Sequence, residues 1–281
     1  MVDFDNQVIE KKIDWQKDNI DWRGYDADRG LRGIAFDKET IYIATSNELR
    51  AYNKNFSLID SWQITYLKYC QDMFVWERTL FIVSAGYDSV LRFNLDKKIF
   101  EQGIHIEVQQ SRFKAILYDP YEEQGPLLLN KLDLNSVYCA KGGMYIGGSR
   151  KGMLHFNGQT VLMAAELPEG NRNARPFRDG VLFNDAKVNC VRYCGRSQSN
   201  EDRAMKIPKY DIKDIDSEIT PILKQGRVRG LAVLSNSIIA VGSAPATITI
   251  FNLAKNKKLG SVNLEEDISH AITCLVEWPF D

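Results

Sequence analysis

Arg32, Gln71, Asp72, Asp133, Asn135, Asn173, Arg175, Arg229 and His270 are the residues on which this 281-residue chain could build chemistry. Each guanidinium offers a planar fork that fits carboxylate, phosphate or sulfate. RGLRGIAF around Arg32 and GRVRGLAV around Arg229 repeat an Arg-Gly pair, and glycine permits close backbone approach at both places. Arg175 and Arg178, in RPFRDG, bring two further cations, so a small anionic or polar ligand is the first chemistry these residues suggest. Asp72 or Asp133 could instead serve as a general base. Asp72, Asn135 and Asn173, with Asp133 near them, also carry the carboxylate and amide oxygens that a hard divalent cation such as calcium prefers, although no EF-hand-like loop is present.

Other chemistries find less support. The three histidines, His105, His155 and His270, fall in different repeats, and Cys70, Cys139, Cys190, Cys194 and Cys274 form no CxxC pair, so zinc and iron spacing is missing. The cysteines sit among Val, Tyr and Leu and are expected to be small buried core residues. There is no GxSxG elbow, and GGMYIGGS is a strand with its turns, with no helix following to make a phosphate loop.

A repeated block must position these residues. It reads DMFVWERTLFIVSAGYDSVLRFN from Asp72, NSVYCAKGGMYIGGSRKGMLHFN from Asn135 and GLAVLSNSIIAVGSAPATITIFN from Gly230, with a 21-residue version from Gly33. Each copy is an apolar run, a turn, a second apolar run, a small-residue turn and an alternating run ending in an aromatic followed by Asn. Such a three-strand sheet cannot bury both faces alone, so copies must stack, which predicts a β-propeller. A weaker copy starts at Asn173, where Pro176 predicts a short or irregular strand. ITCLVEW from Ile272 reads as a sixth inner strand. The expectation is an all-β, six-bladed propeller forming a single domain over residues 1–281. Its last blade would be closed by strands from the C-terminus and from VDFDNQVIEKKIDW at the N-terminus. The candidate residues then fall at inner-strand starts, which ring one mouth of a propeller's channel.

Two insertions interrupt the spacing, at 107–133 and 195–229, as functional lids or solvated excursions. Trp15, Trp22, Tyr25, Tyr66 and Tyr69 are candidates for a rim or for packing between blades. With 36 basic and 37 acidic residues there is no net positive field, so the chain is expected to bind neither nucleic acid nor an anionic membrane surface. No run of 18 apolar residues and no signal-like N-terminus occurs, which, with unpaired thiols, reads as cytoplasmic.

RGLRGIAF, NARPFRDGVLFND and VRGLAVLSNSIIAVGSAPATITIFN resemble segments of an uncharacterised bacterial family of β-propeller proteins, with RPFRDGVLFND the most specific stretch. That resemblance covers nearly the whole chain and implies a fold but no assigned reaction. Relatives often carry histidine at inner-strand starts where this chain has Gln71 and Asp133. More broadly the chain is similar to six-bladed NHL-like, gluconolactonase-like and strictosidine-synthase-like propellers. Gluconolactonase-like members hold calcium through carboxylate and Asn side chains at these starts; Asp72, Asn135 and Asn173 match in type, while Arg32 stands where a Glu is needed. Two functions are therefore expected to compete. One is a binding propeller for a small anionic or polar ligand, or for a protein partner. The other is an enzyme of the lyase, lactonase or cyclase kind, assisted by a divalent metal.

Overall fold

The computed structural model describes residues 1–14, 30–110, 112–196, 202–208, 228–266 and 270–280. The apolar runs of the repeat form central strands that are buried on both faces, which is why they read as continuous rather than alternating. Leu80, Ile82, Val83, Val90, Leu91 and Phe93 are all 0% exposed. The aromatic that ends each third strand is buried, as Tyr52, Phe93, Phe156 and Phe251 show. The Asn that follows it closes a turn. Asn53 Oδ1 accepts the N–H groups of Asn55 and Ser57, Asn94 Oδ1 those of Asp96 and Lys97, and Asn157 Oδ1 those of Gln159 and Thr160. The repeat signature is therefore a packing and turn device.

The chain divides into two compact units. One, 13–167 with 278–281, holds three blades. The first blade is β3 (Ile34–Asp37), β4 (Thr40–Ala44), β5 (Leu49–Asn53) and β6 (Leu58–Trp62). The second is β7 (Cys70–Trp76), β8 (Thr79–Ser84), β9 (Ser89–Asn94), β10 (Ile99–Gln109) and a fifth strand, β11 (Arg112–Tyr118). The third is β12 (Leu134–Ala140), β13 (Gly143–Gly148), β14 (Gly152–Phe156) and β15 (Val161–Ala165). The other unit, 1–12 with 168–277, holds the fourth blade, β16 (Asn171–Phe177), β17 (Gly180–Asp185), β18 (Cys190–Gly195) and β19 (Arg203–Lys206). It also holds the fifth, β20 (Leu231–Val233), β21 (Ile238–Ser243), β22 (Thr247–Asn252) and β23 (Lys257–Asn263). Neighbouring strands within every blade run antiparallel, in chain order from the innermost outward.

The fold is an all-β propeller, and the count of six blades is corrected to five among the described residues. The physical reason lies in both terminal segments. At the N-terminus β1 (Val2–Asp3) pairs with β2 (Val8–Ile9), so the segment folds back on itself, with Glu10 N–H donating to Met1 O at 2.9 Å. Asp3 Oδ1 accepts the Asp5 and Asn6 N–H groups and fixes that turn. ITCLVEW forms no ladder. Ile272 and Leu275, with Val2 and Phe4, pack on the core of the fifth blade around Ala232, Ala240 and Ile248. In the three-blade unit Trp278 and Phe280 pack on Phe36 of the first blade. The termini thus cover apolar blade surface without completing a sixth sheet.

Both insertions conceal outer strands. The first contributes β11, and the loop after it is anchored, with Tyr66 Oη donating to Glu122 O and Glu123 O and the buried Asp88 carboxylate accepting the Lys131 and Leu132 N–H groups. The second contributes β19; its remainder at 197–201 and 209–227 lies outside the described residues. Pro176 is accommodated because β16 pairs only with β17, which leaves one strand edge where a missing N–H costs no ladder bond.

Candidate functional site: the inner-strand starts

Three inner strands begin with an irregular register. The ladder shifts between Cys70 and Met73, between Leu134 and Ser136, and between Arg172 and Arg175. Gln71, Asp72, Asn135 and Asn173 therefore stand out of regular pairing, as a β-bulge permits, and their side chains are re-aimed. Sequence reasoning placed these residues at the strand starts; it did not foresee the bulges.

In the three-blade unit, Arg32 is 7% exposed and its N–H donates to Ala44 O at 2.8 Å. A Cβ on Gly33 would lie 2.8 Å from Met73 Cγ and 3.3 Å from Met73 N. The close approach that this glycine permits is thus to the second blade. Burial holds the Cys70 thiol far above its usual range, with Arg32 opposing only weakly, so this cysteine is an inert core residue. Burial likewise raises Cys139, to about 12. Gln71 Nε2 donates to Tyr69 O at 3.3 Å, and Asp72 Oδ2 accepts the Val137 N–H of the third blade at 3.1 Å. Asp133 has φ 50°, and its carboxylate accepts from Ser149 Oγ while its carbonyl accepts from Ser149 N–H and from Asn135 Nδ2.

In the two-blade unit, Asn173 has φ 53°, and its Oδ1 accepts the Gly230 N–H of the fifth blade at 3.0 Å and Asn184 Nδ2 at 3.1 Å. Asn184 Nδ2 also donates to Gly230 O at 3.2 Å. Arg175 and Arg229 are half-buried, and Arg229 N–H donates to Gly242 O at 3.0 Å. His270 is exposed. Arg178 lies at the opposite end of β16, where it donates to Asn236 O and stacks over Phe177 and Tyr193. The stretch RPFRDGVLFND is thus a fastening between the fourth and fifth blades, with Arg178 at one end and Asn184 at the other.

Asp72 and Asn135 belong to one unit and Asn173 to the other. Among the described residues no three His, Cys, Asp or Glu side chains gather as a metal cluster. His105 Nδ1 pairs with Tyr87 O and His155 Nε2 with Gly142 O. Tyr66 is buried against Tyr87 and Tyr118, which makes it packing; Tyr69 is half-buried; Trp15, Trp22 and Tyr25 lie outside the described residues. Among the described residues no helix is long and apolar enough to cross a membrane. One feature missed in the sequence is a groove of about 520 Å³ lined by Arg112–Ala115 and Gln159–Met163. The alternation of RFKAILY was its available signal.

No family model and no curated protein matches the chain. Solved structures do. The chain is similar to a structure described as a nidogen/laminin complex, at TM-score 0.58 and 10% identity over 88% of this chain and 84% of that one. It is also similar to the C-terminal WD40 domain of Sif2, at 0.51 and 12% over 88% and 75%, and to a streptogramin B lyase, at 0.50 and 9% over 80% and 69%. At such identities the likeness establishes the β-propeller fold alone.

Proposed function

We propose that the protein is a binding propeller that holds a small anionic or polar ligand at its inner-strand starts, with Arg229 and Arg175 as the cationic contacts of the two-blade unit. Arg32, with Gln71 beside the second blade's start, carries the equivalent role in the three-blade unit, and His270 adds a polar group at the fifth blade. The observation that carries this reading is the engagement of the acidic and amide groups. Asp72 Oδ2 and Asn173 Oδ1 hold backbone N–H groups of the following blade, and Asp133 Oδ2 holds Ser149, so these three oxygens already have structural partners. The five free cysteines support a cytoplasmic setting. The resemblance to bacterial propellers bearing RPFRDGVLFND fits the same reading but adds no reaction.

The competing reading is a lyase-, lactonase- or cyclase-type enzyme assisted by a divalent cation such as calcium. Its general base would be Asp72 or Asp133; separately, three buried oxygens of the fourth blade, Asn184 Oδ1, Asp185 Oδ1 and Asn189 Oδ1, accept no hydrogen bond. Thermal-shift measurements with phosphate, sulfate and small carboxylates, and with calcium against chelator, separate the two. The expected result is a melting point that rises with anion concentration in the native protein and does not rise in Arg229→Ala. A calcium shift that chelator reverses, without any anion shift, would replace the binding reading by the enzyme. No shift with any of them would leave a protein partner as the occupant.

A further inference from the structure

Independently of the inner-strand starts, the outer edge of the second blade departs from the four-stranded pattern of the other blades. β11 is an extra fifth strand, held by pairing with β10 from Gly103↔Tyr118 to Gln109↔Arg112. The Tyr118 ring covers Gly103, where a Cβ would come within 2.1 Å of Cζ, so the end of the hairpin is locked. Among the described residues β11 has no second strand neighbour, and neither has β15, the outer strand of the third blade that runs beside it without pairing. Both present a row of backbone N–H and C=O groups that a further strand could use.

The side chains specify what kind of strand. Phe113 and Ala115 turn toward the core that includes Val161, while Arg112, Lys114 and Ile116 are exposed on the other face. Leu117, Leu162 and Met163 are exposed by 53%, 63% and 36%. Neither Arg112 nor Lys114 makes an ion pair among the described residues; Glu107, opposite Lys114, instead accepts from Gln109 Nε2 at 2.7 Å. The groove thus combines an open sheet edge, an apolar floor and two unpaired cations, within the size range of ligand pockets.

We propose that the groove between β11 and β15 docks an extended peptide with alternating acidic and apolar side chains, which adds to the edge of β11. Main-chain hydrogen bonds would give affinity, and the cations with the apolar floor would give specificity. A second copy of this chain is the weaker occupant, because a lysine on an edge strand discourages pairing of like edges.

The test uses a fluorescein-labelled Asp-Ile-Glu-Val-Asp-Leu-Glu peptide and a counterpart with lysine at each acidic position. The acidic peptide is expected to bind saturably and to slow amide exchange across β11. The double variant Arg112→Glu with Lys114→Glu is expected to weaken it roughly tenfold or more. Should that variant fold poorly, Leu162→Asp reports on the apolar floor instead. Absence of binding, equal binding of both peptides or undiminished binding to both variants would overturn the proposal. So would sedimentation showing a dimer that Leu117→Lys dissolves, which would assign the groove to a second copy.

Discussion

The junction between the second and third blades and that between the fourth and fifth use the same fastening in two chemical versions. In one, the Asp72 carboxylate reaches the Val137 N–H; in the other, the Asn173 amide reaches the Gly230 N–H and is itself held by Asn184. The backbone explains the choice. Asn173 lies at φ 53°, in the left-handed region that Asn tolerates better than most residues, whereas Asp72 is not in that region. The hairpin turns differ in the same sense. Arg78, in a two-residue turn with φ positive at both Glu77 and Arg78, pairs with Asp37 and Asp96, while Arg178 donates to the carbonyl of Asn236 and stacks over Phe177 and Tyr193. In the three-blade unit the acceptors at these joints are carboxylates, and in the two-blade unit they are amide and backbone carbonyl oxygens. Equivalence of position therefore does not imply equivalence of chemistry.

The largest effect is expected at Asn173. Asn173→Ala strands two donors and places a Cβ-bearing residue without an amide in the left-handed region, for a loss of about 3 kcal/mol or more in urea unfolding. Asn173→Gly removes the bonds without the strain and should recover about 1 kcal/mol of that loss. If the two variants are equally stable, the backbone explanation fails. Next comes Asp72→Ala, which leaves the Val137 N–H unpaired and should cost about 1–3 kcal/mol, whereas Asp72→Asn keeps an acceptor oxygen and should be nearly native. A catalytic Asp72 would show instead in activity, with Asp72→Asn equally stable but inactive. The smallest effect separates the turns by pH. Arg78 holds the Asp96 carboxyl below its usual value, so the contribution of the pair is present above about pH 4 and is lost as pH falls through the folded-state value. Arg78→Ala should flatten that acid limb of the unfolding midpoint more than Arg178→Ala does, because the Asp179 carboxyl is lowered first by its Tyr193 hydrogen bond and less by Arg178.

The inner strands were legible because the repeat writes them in buried apolar runs, and β7, β12 and β16 begin within two residues of the starts read from Gln71, Asn135 and Asn173. Outer strands were not, because a strand buried on one side need keep only a weak pattern. β6 is almost wholly exposed, and β11 and β19 hid inside apparent insertions. ITCLVEW carried a strand pattern whose required partners the N-terminal segment withholds by pairing with itself. For the candidate site, the sequence showed the residue types but not their engagements. The Asp72 and Asn173 bonds close across 65 and 57 residues, a distance over which local spacing carries no information.

The fastening is directional: a side chain of one blade meets a main-chain N–H of the next. The receiving blade need supply no particular side chain, since every residue except proline owns that donor. A tandem duplication of such a unit would carry one half of the bond in every copy and find the other half ready in its neighbour. Receiving positions could then diverge freely in sequence while the joint persisted, so that Val137 and Gly230, unlike in side chain, occupy the same role.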